Sequence, residues 1–449
     1  MKRIICLLLS VFLLLSLAAC GPEPEQPETT AAPIETTAPA ETAAPTQAQP
    51  ETTGPVPETE ATEPPAISEP EGLRPLTLEK SLYTYYEWKD ELTCALVRSE
   101  HSTVMLSEED AARYPEMAQV LSQIAVMQEN TMLDEFYNLV SWAEDDLSWG
   151  AAGFATYVST LDVQVRRADS LVISLLHDSC ADYAHFQDFR MFHGSTYDTE
   201  TGRELQLNDV VAVSNYLALA VEKELLEQMG GESFYSEYAV QNYFADTPYD
   251  GFSWTLDYTG VTFYFTPGQF FEGGAMTATV TFAEYPELFN PEYMEVPEQY
   301  AVELPLDMSF FADLNGDYQQ EAISVSGCYD NERSCYLDFG VYTNQNGCWY
   351  EECYAHQLHP YYVKAADGHY LYLFFEDFDE GVRNMRLTVL SLNWDGSVGV
   401  CCERNVSPAW LADNRFRIPT DPRRLMLDDL DSGAKSIAFS VGKEGIPVQ

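Results

Sequence analysis

The chain predicts an α+β domain, an antiparallel sheet with two long helices, followed by a β-rich domain of partial propeller-like or sandwich form. Three observations predict it. Between residues 76 and 290, two stretches of helical period stand among six short strand-like runs. From Ala301 onward only short β candidates remain, separated by Gly, Asn and Asp turns. Ahead of both, the first 72 residues divide into an apolar leader and a Pro/Thr/Glu/Ala run. A chain of 449 residues holds about three units at roughly 150 residues each. With 46% apolar residues, 28 Tyr and 23 Phe, most of it can bury a core.

Met1-Lys2-Arg3 supplies a positive start, and Ile4 to Leu17 form an apolar run broken only by Cys6, Ser10 and Ser16. This run is shorter than the roughly 20 residues of a membrane span and reads as a secretory signal over residues 1–20. Its end, Leu17-Ala18-Ala19-Cys20, resembles the bacterial lipobox. That resemblance implies diacylglycerol on the Cys20 sulfur and Cys20 as the mature N-terminus. Two or three acyl chains, at about 0.8 kcal/mol per buried CH₂, hold a protein durably on a bilayer.

Residues 21–72 contain eleven glutamates and no basic residue, with few aliphatic or aromatic side chains. Such a segment buries too little to offset chain entropy, so a disordered, extended tether is expected. Residues 73–449 carry 61 acidic against 21 basic residues, a net charge of −40. That acidity excludes ordinary DNA or RNA binding and docking on anionic lipid, and it favours a cationic partner.

The first domain is drawn at residues 73–295. Ser107-Glu108-Glu109-Asp110 has the form of a helix-start capping box, and Pro115 suits a first turn. Met117, Val120, Leu121, Ile124, Met127, Phe136, Leu139 and Val140 keep helical spacing. A second helix is predicted from Asp209 to Met229, with the stripe Val213, Leu217, Val221 and Leu225 and a stop at Gly230-Gly231. Strands are predicted at Thr93–Arg98, Thr156–Arg166, Ser170–Leu176, Ser253–Tyr258, Val261–Phe265 and Met276–Phe282, with a hairpin turn at Thr259-Gly260.

The second domain is drawn at residues 296–449. Its strand candidates are Ala322–Ser326, Cys335–Tyr342, Tyr370–Phe375, Leu387–Leu392 and Ser397–Cys402. Just before the first of them, Asp313, Asn315, Asp317 and Glu321 place oxygen side chains at positions 1, 3, 5 and 9 of one loop. The Gln319 carbonyl stands at position 7. Calcium takes six to eight oxygens, and this alternation lets a single loop offer several. An acidic Asx-type turn that holds no metal fits the same residues. The loop resembles those of integrin-like and other β-propeller repeats, although Tyr318 stands where such loops usually carry Gly.

The segment from Phe192-His193-Gly194-Ser195 through Asp198-Thr199-Glu200-Thr201-Gly202-Arg203-Glu204-Leu205-Gln206-Leu207-Asn208-Asp209 resembles the RsiV-type extracellular domain family. The later hairpin Val261–Pro267 with Glu272-Gly273-Gly274, and the strand Ala278–Phe282 closed by Tyr285, extend the resemblance over about 200 residues. These motifs are structural. Thr201-Gly202 makes a turn, Leu205 and Leu207 share a sheet face, and Asn208 or Asp209 caps the helix. What the resemblance implies is a surface receptor or binding domain; the best-known relative is the outer part of a lysozyme-binding anti-sigma factor. Lysozymes are cationic.

Apart from Cys6 and Cys20, eight cysteines remain, and an exported chain permits disulfides. Close spacing makes Cys328–Cys335 and Cys348–Cys353 candidate bridges. Cys348, Cys353, His356 and His359 also form a possible zinc set, but Trp349, Tyr350 and Tyr354 among them speak for strand packing. No nucleophile elbow, zincin helix or phosphate loop is present. The expected function is non-catalytic binding of a cationic protein or a cell-wall polymer outside the membrane. A cell-wall hydrolase or deacetylase is the alternative.

Overall fold

A computed structural model describes residues 72–449, apart from residues 91, 151–153, 184–185, 213–214, 230–232, 318–319, 331–334, 344–347 and 380–381. The signal, Cys20 and the tether before Gly72 lie outside the described residues. The protein is β-rich with few helices. In chain order the strands are β1 (Leu78–Glu87), β2 (Val97–Leu106), β3 (Tyr157–Ala168), β4 (Val172–Tyr183), β5 (Phe186–Asp198), β6 (Trp254–Leu256), β7 (Gly260–Phe265) and β8 (Met276–Thr281). There follow β9 (Tyr300–Glu303), β10 (Ser309–Ala312), β11 (Glu321–Asp330), β12 (Cys335–Thr343), β13 (Cys348–Glu351), β14 (His356–Ala365), β15 (Gly368–Asp379) and β16 (Val382–Leu392). The last are β17 (Val398–Arg404), β18 (Val406–Pro408), β19 (Trp410–Ala412), β20 (Arg415–Arg417), β21 (Leu425–Asp429), β22 (Ala434–Val441) and β23 (Pro447–Val448). The helices are α1 (Glu108–Arg113), α2 (Pro115–Leu147), α3 (Leu207–Val210), α4 (Asn215–Gln228) and α5 (Ala239–Asp246).

The first helical prediction matches its physics. Ser107 caps α1 by accepting from the Asp110 N–H, and Tyr114 breaks from helical geometry just before Pro115 starts α2. Met117, Leu121, Met132, Phe136, Leu139 and Ala143 are the buried stripe of α2. That helix lies in the connection between β2 and β3 and returns the chain so that the two strands run parallel. The expected antiparallel sheet is therefore mixed: its order is β19-β20-β1-β2-β3-β4-β5, and its other pairs are antiparallel.

The second helix departs from prediction. Instead of running from residue 209, the chain makes the short α3, capped at Gln206, and turns extended at Val211. Backbone bonding to another segment causes the break: Ala212 N–H donates to Leu288 O, and Asn290 N–H to Val210 O. Only then does α4 form, burying Leu217, Val221 and Leu225 against the β6-β7-β8 sheet. Val213 and Gly230-Gly231 lie outside the described residues.

In the second half, the sheet β17-β16-β15-β14-β9 packs on β10-β11-β12-β13 in a sandwich-like arrangement. Among the described residues no closed barrel or propeller forms. Strand alternation splits β15 between two cores. Tyr370, Tyr372 and Phe374 enter the core that also holds β3 and α2 residues, whereas Leu371, Leu373 and Phe375 enter the sandwich. With both faces covered, Tyr370–Phe375 becomes the continuous apolar run seen in the sequence. The halves interleave: β20 pairs with β1, and one core runs from Leu76 to Phe439. No helix among the described residues is long and apolar enough to cross a membrane.

Candidate functional site

The predicted calcium loop is the connection of the β10–β11 hairpin. Gly316 takes φ +77°, the left-handed conformation that suits glycine. Asp313 Oδ1 accepts from the N–H groups of Asn315 (3.3 Å) and Gly316 (2.6 Å), and Glu321 Oε2 from that of Leu314 (2.8 Å). The Asn315 side-chain amide then donates to Asp317 Oδ2 (3.2 Å) and Glu321 Oε1 (3.0 Å). Burial raises the Glu321 carboxyl; the Leu314 N–H opposes this, while Asp313 and Asp317 add to it. The Asp317 and Glu321 oxygens thus meet at the Asn315 amide, while Asp313 Oδ1 is turned to backbone N–H groups. Among the described residues no three Asp, Glu, His or Cys side chains gather to hold a metal. A calcium ion would have to displace the Asn315 amide, and Gln319 lies outside the described residues.

A cavity of about 170 Å³ opens beside this loop. Its wall on the β14 side is made by Lys364 with its register partners Tyr300 on β9 and His369 on β15, together with Tyr362. Asp313, Gln320 and the Thr259 turn close other sides. Tyr362 Oη and His369 Nδ1 lie 2.5 Å apart. Burial lowers the His369 pKa, Lys364 lowers it further and Asp313 opposes them, so the ring is neutral at pH 7.

A second polar constellation was not visible in the sequence. Lys80 is fully buried on β1, with Nζ 2.7 Å from Asp162 Oδ1 and 3.2 Å from Glu303 Oε1. His359 Nδ1 stands 3.2 Å from the same Glu303 oxygen, and Asp162 keeps 43% of its side chain exposed. Burial would raise the Asp162 carboxyl, but Lys80, His359 and Ser102 together bring it below its ordinary value. A carboxyl held low is a poor general acid at neutral pH. Nearby, a β-bulge between Val165 and Arg167 buries two consecutive arginines. Arg166 forks onto Asp257 and donates to Glu303 O, and Arg167 bonds Asp169, Tyr293 O and Glu295 O. The only sequence signal was charge inside otherwise apolar strands.

The remaining predicted residues are dispersed. None of the eight described cysteines is joined in a disulfide. In the β11–β12 ladder Cys328 faces Asp338 and Cys335 faces Asp330, so strand register keeps this candidate pair apart; Cys348 and Cys353 are likewise unbridged. His359 is engaged with Glu303, away from a zinc set. Exposed His193 packs by His177, their ring centroids 5.7 Å apart, and Gly194 allows close approach: a Cβ there would meet Trp254 O at 1.7 Å. Asp428 is buried and accepts from Trp410 N–H, Lys435 Nζ and Ser436 N–H.

The chain matches no protein-family model and no curated protein. Two solved structures show a weak likeness. A DUF3298 family member from Bacteroides fragilis NCTC 9343 covers 50% of this chain and 96% of its own at 12% identity, with a TM-score of 0.35. For a DUF3298 family protein from Pseudomonas aeruginosa PAO1 the shares are 50% and 99%, at 13% identity and a TM-score of 0.33. The structural neighbours of this chain are thus proteins of a family whose domain has no known function.

Proposed function

We propose that this protein is a lipid-anchored, extracytoplasmic binding protein that captures a cationic protein of the lysozyme kind, or a cell-wall polymer, without catalysis. Lipidation at Cys20 and an RsiV-like first domain beside a β-rich second one belong to this proposal, as does calcium held by Asp313, Asn315, Asp317, Gln319 and Glu321. One observation carries the reading, the net charge of −40 over residues 73–449. Burial removes four basic and eight acidic described residues from the surface, which leaves it strongly acidic. Such a surface attracts cations over about one Debye length, roughly 8 Å at physiological salt.

The test is retention of lysozyme on the immobilised protein at about 20 mM and about 500 mM salt, since screening separates the two conditions. Retention at low salt that is lost at high salt supports the proposal, and no retention at low salt removes the lysozyme version.

A further inference from the structure

Helix α4 carries two apolar stripes, and its own fold uses one. Leu217, Val221 and Leu225 are buried against the β6-β7-β8 sheet. On the opposite side Tyr216, Leu219 and Leu226 follow the spacing i, i+3 and i+10, with Lys223 at i+7. They are 76%, 50% and 46% exposed, and among the described residues none of the three joins a hydrophobic cluster. Single exposed apolar side chains are ordinary, but a second stripe at coiled-coil spacing is a contact surface.

The charges around the stripe decide what covers it. Lys223 Nζ lies 2.6 Å from Glu284, 3.6 Å from Glu224 and 3.8 Å from Glu227, so three carboxyls share one ammonium. Glu222 flanks the stripe on the α5 side, where the Gln241 amide donates to it at 2.9 Å. Burial pushes the Glu224 carboxyl up to about 7 against the pull of Lys223, and Glu284 and Glu227 add to the rise. One ammonium does not balance this group. An apolar centre with an acidic rim complements an apolar side chain ringed by Lys or Arg. A second copy of this chain would bring the same carboxyls face to face, which disfavours self-pairing.

We propose that the outer face of α4 is the docking surface for a cationic protein. Apolar side chains of that partner cover Tyr216, Leu219 and Leu226, and its Lys or Arg side chains meet Glu222, Glu227 and Glu284. This deepens the capture reading given above and rests on it. The acidic field of the whole surface draws the partner in, and the apolar centre sets where it stays and how slowly it leaves.

Biolayer interferometry of lysozyme on the immobilised full chain, at about 20 mM and about 150 mM salt, tests the proposal. Leu219→Ser with Leu226→Ser alters no charge, so the long-range attraction is kept and only the apolar centre is lost. This double variant should bind about tenfold or more weakly, chiefly through faster dissociation. Val126→Ser with Met127→Ser, an exposed apolar pair on α2, should bind as the unaltered chain does. No lysozyme binding even at the lower salt overturns this proposal and the capture reading together. Binding that the α4 variant leaves unchanged, or that the α2 variant weakens equally, overturns the α4 surface and leaves the capture reading standing. A dimer of the free chain that the α4 variant dissolves, read by analytical ultracentrifugation, overturns it in favour of a second copy. Thermal midpoints are compared throughout; if the double variant fails to fold, Tyr216→Ser carries the same comparison with a several-fold loss expected.

Discussion

Replacing Arg166 by Met tests whether the buried charges hold the sheets together. The substitution keeps much of the stem but deletes the guanidinium that bonds Asp257 Oδ2 at 3.0 Å and Glu303 O at 2.7 Å. Side-chain exposure is 1% for Arg166 and 2% for Asp257, so water cannot replace the lost partner. Thr255 and Thr262 hydroxyls still donate to Asp257 at 2.9 and 2.8 Å, which limits but does not cancel the loss. Breaking such a pair from one side costs about 3–5 kcal/mol. At about 2.1 cal/mol/K per residue, the unfolding entropy of residues 72–449 is roughly 0.8 kcal/mol/K. The thermal midpoint should therefore fall by about 4–6 °C, read by circular dichroism at one fixed scan rate. Adding Asp257→Asn removes the orphaned charge and should recover at least about 1 kcal/mol relative to additivity. A fall under about 1 °C, or strictly additive single changes, would refute the reasoning.

Gly194→Ala should destabilise by about 1–3 kcal/mol or more, because its Cβ would lie 1.7 Å from Trp254 O; an unchanged urea midpoint would contradict the close approach. Burial, with His193 beside it, depresses the His177 pKa to about 3, and burial alone depresses that of His101 to about 4. The unfolded chain protonates these rings below about pH 6.5 while the native protein does not, so stability is full above that pH and falls as pH drops toward those values. Each ring should cost about 2 kcal/mol at pH 5, and His177→Gln should flatten the slope by about one proton; an unaltered slope would remove His177 from the account. Asp313→Ala should abolish any calorimetric calcium signal, and identical flat traces for both proteins would retire the metal reading.

How much of this protein its sequence determined follows from the range of the forces involved. Ser107, Pro115 and the apolar stripe of α2 act within a few residues, and they placed that helix. Period-two alternation and turn residues placed β3, β4, β6, β7, β8, β11, β12, β15, β16 and β17, but not β1, β5, β14 or the short strands near the C-terminus. Tertiary structure decided the rest. Hydrogen bonds from residues 288–290 split a helix whose local signals were sound, and the long crossover made one strand pair parallel. Pairing of β20 with β1 joined segments more than 300 residues apart, a contact that no local pattern encodes. Lys80, Asp162 and Glu303, like Thr259, Gln320 and Lys364, come from distant strands or turns. Their chemistry depends on separations of a few ångströms, and only the packing of whole sheets fixes such distances.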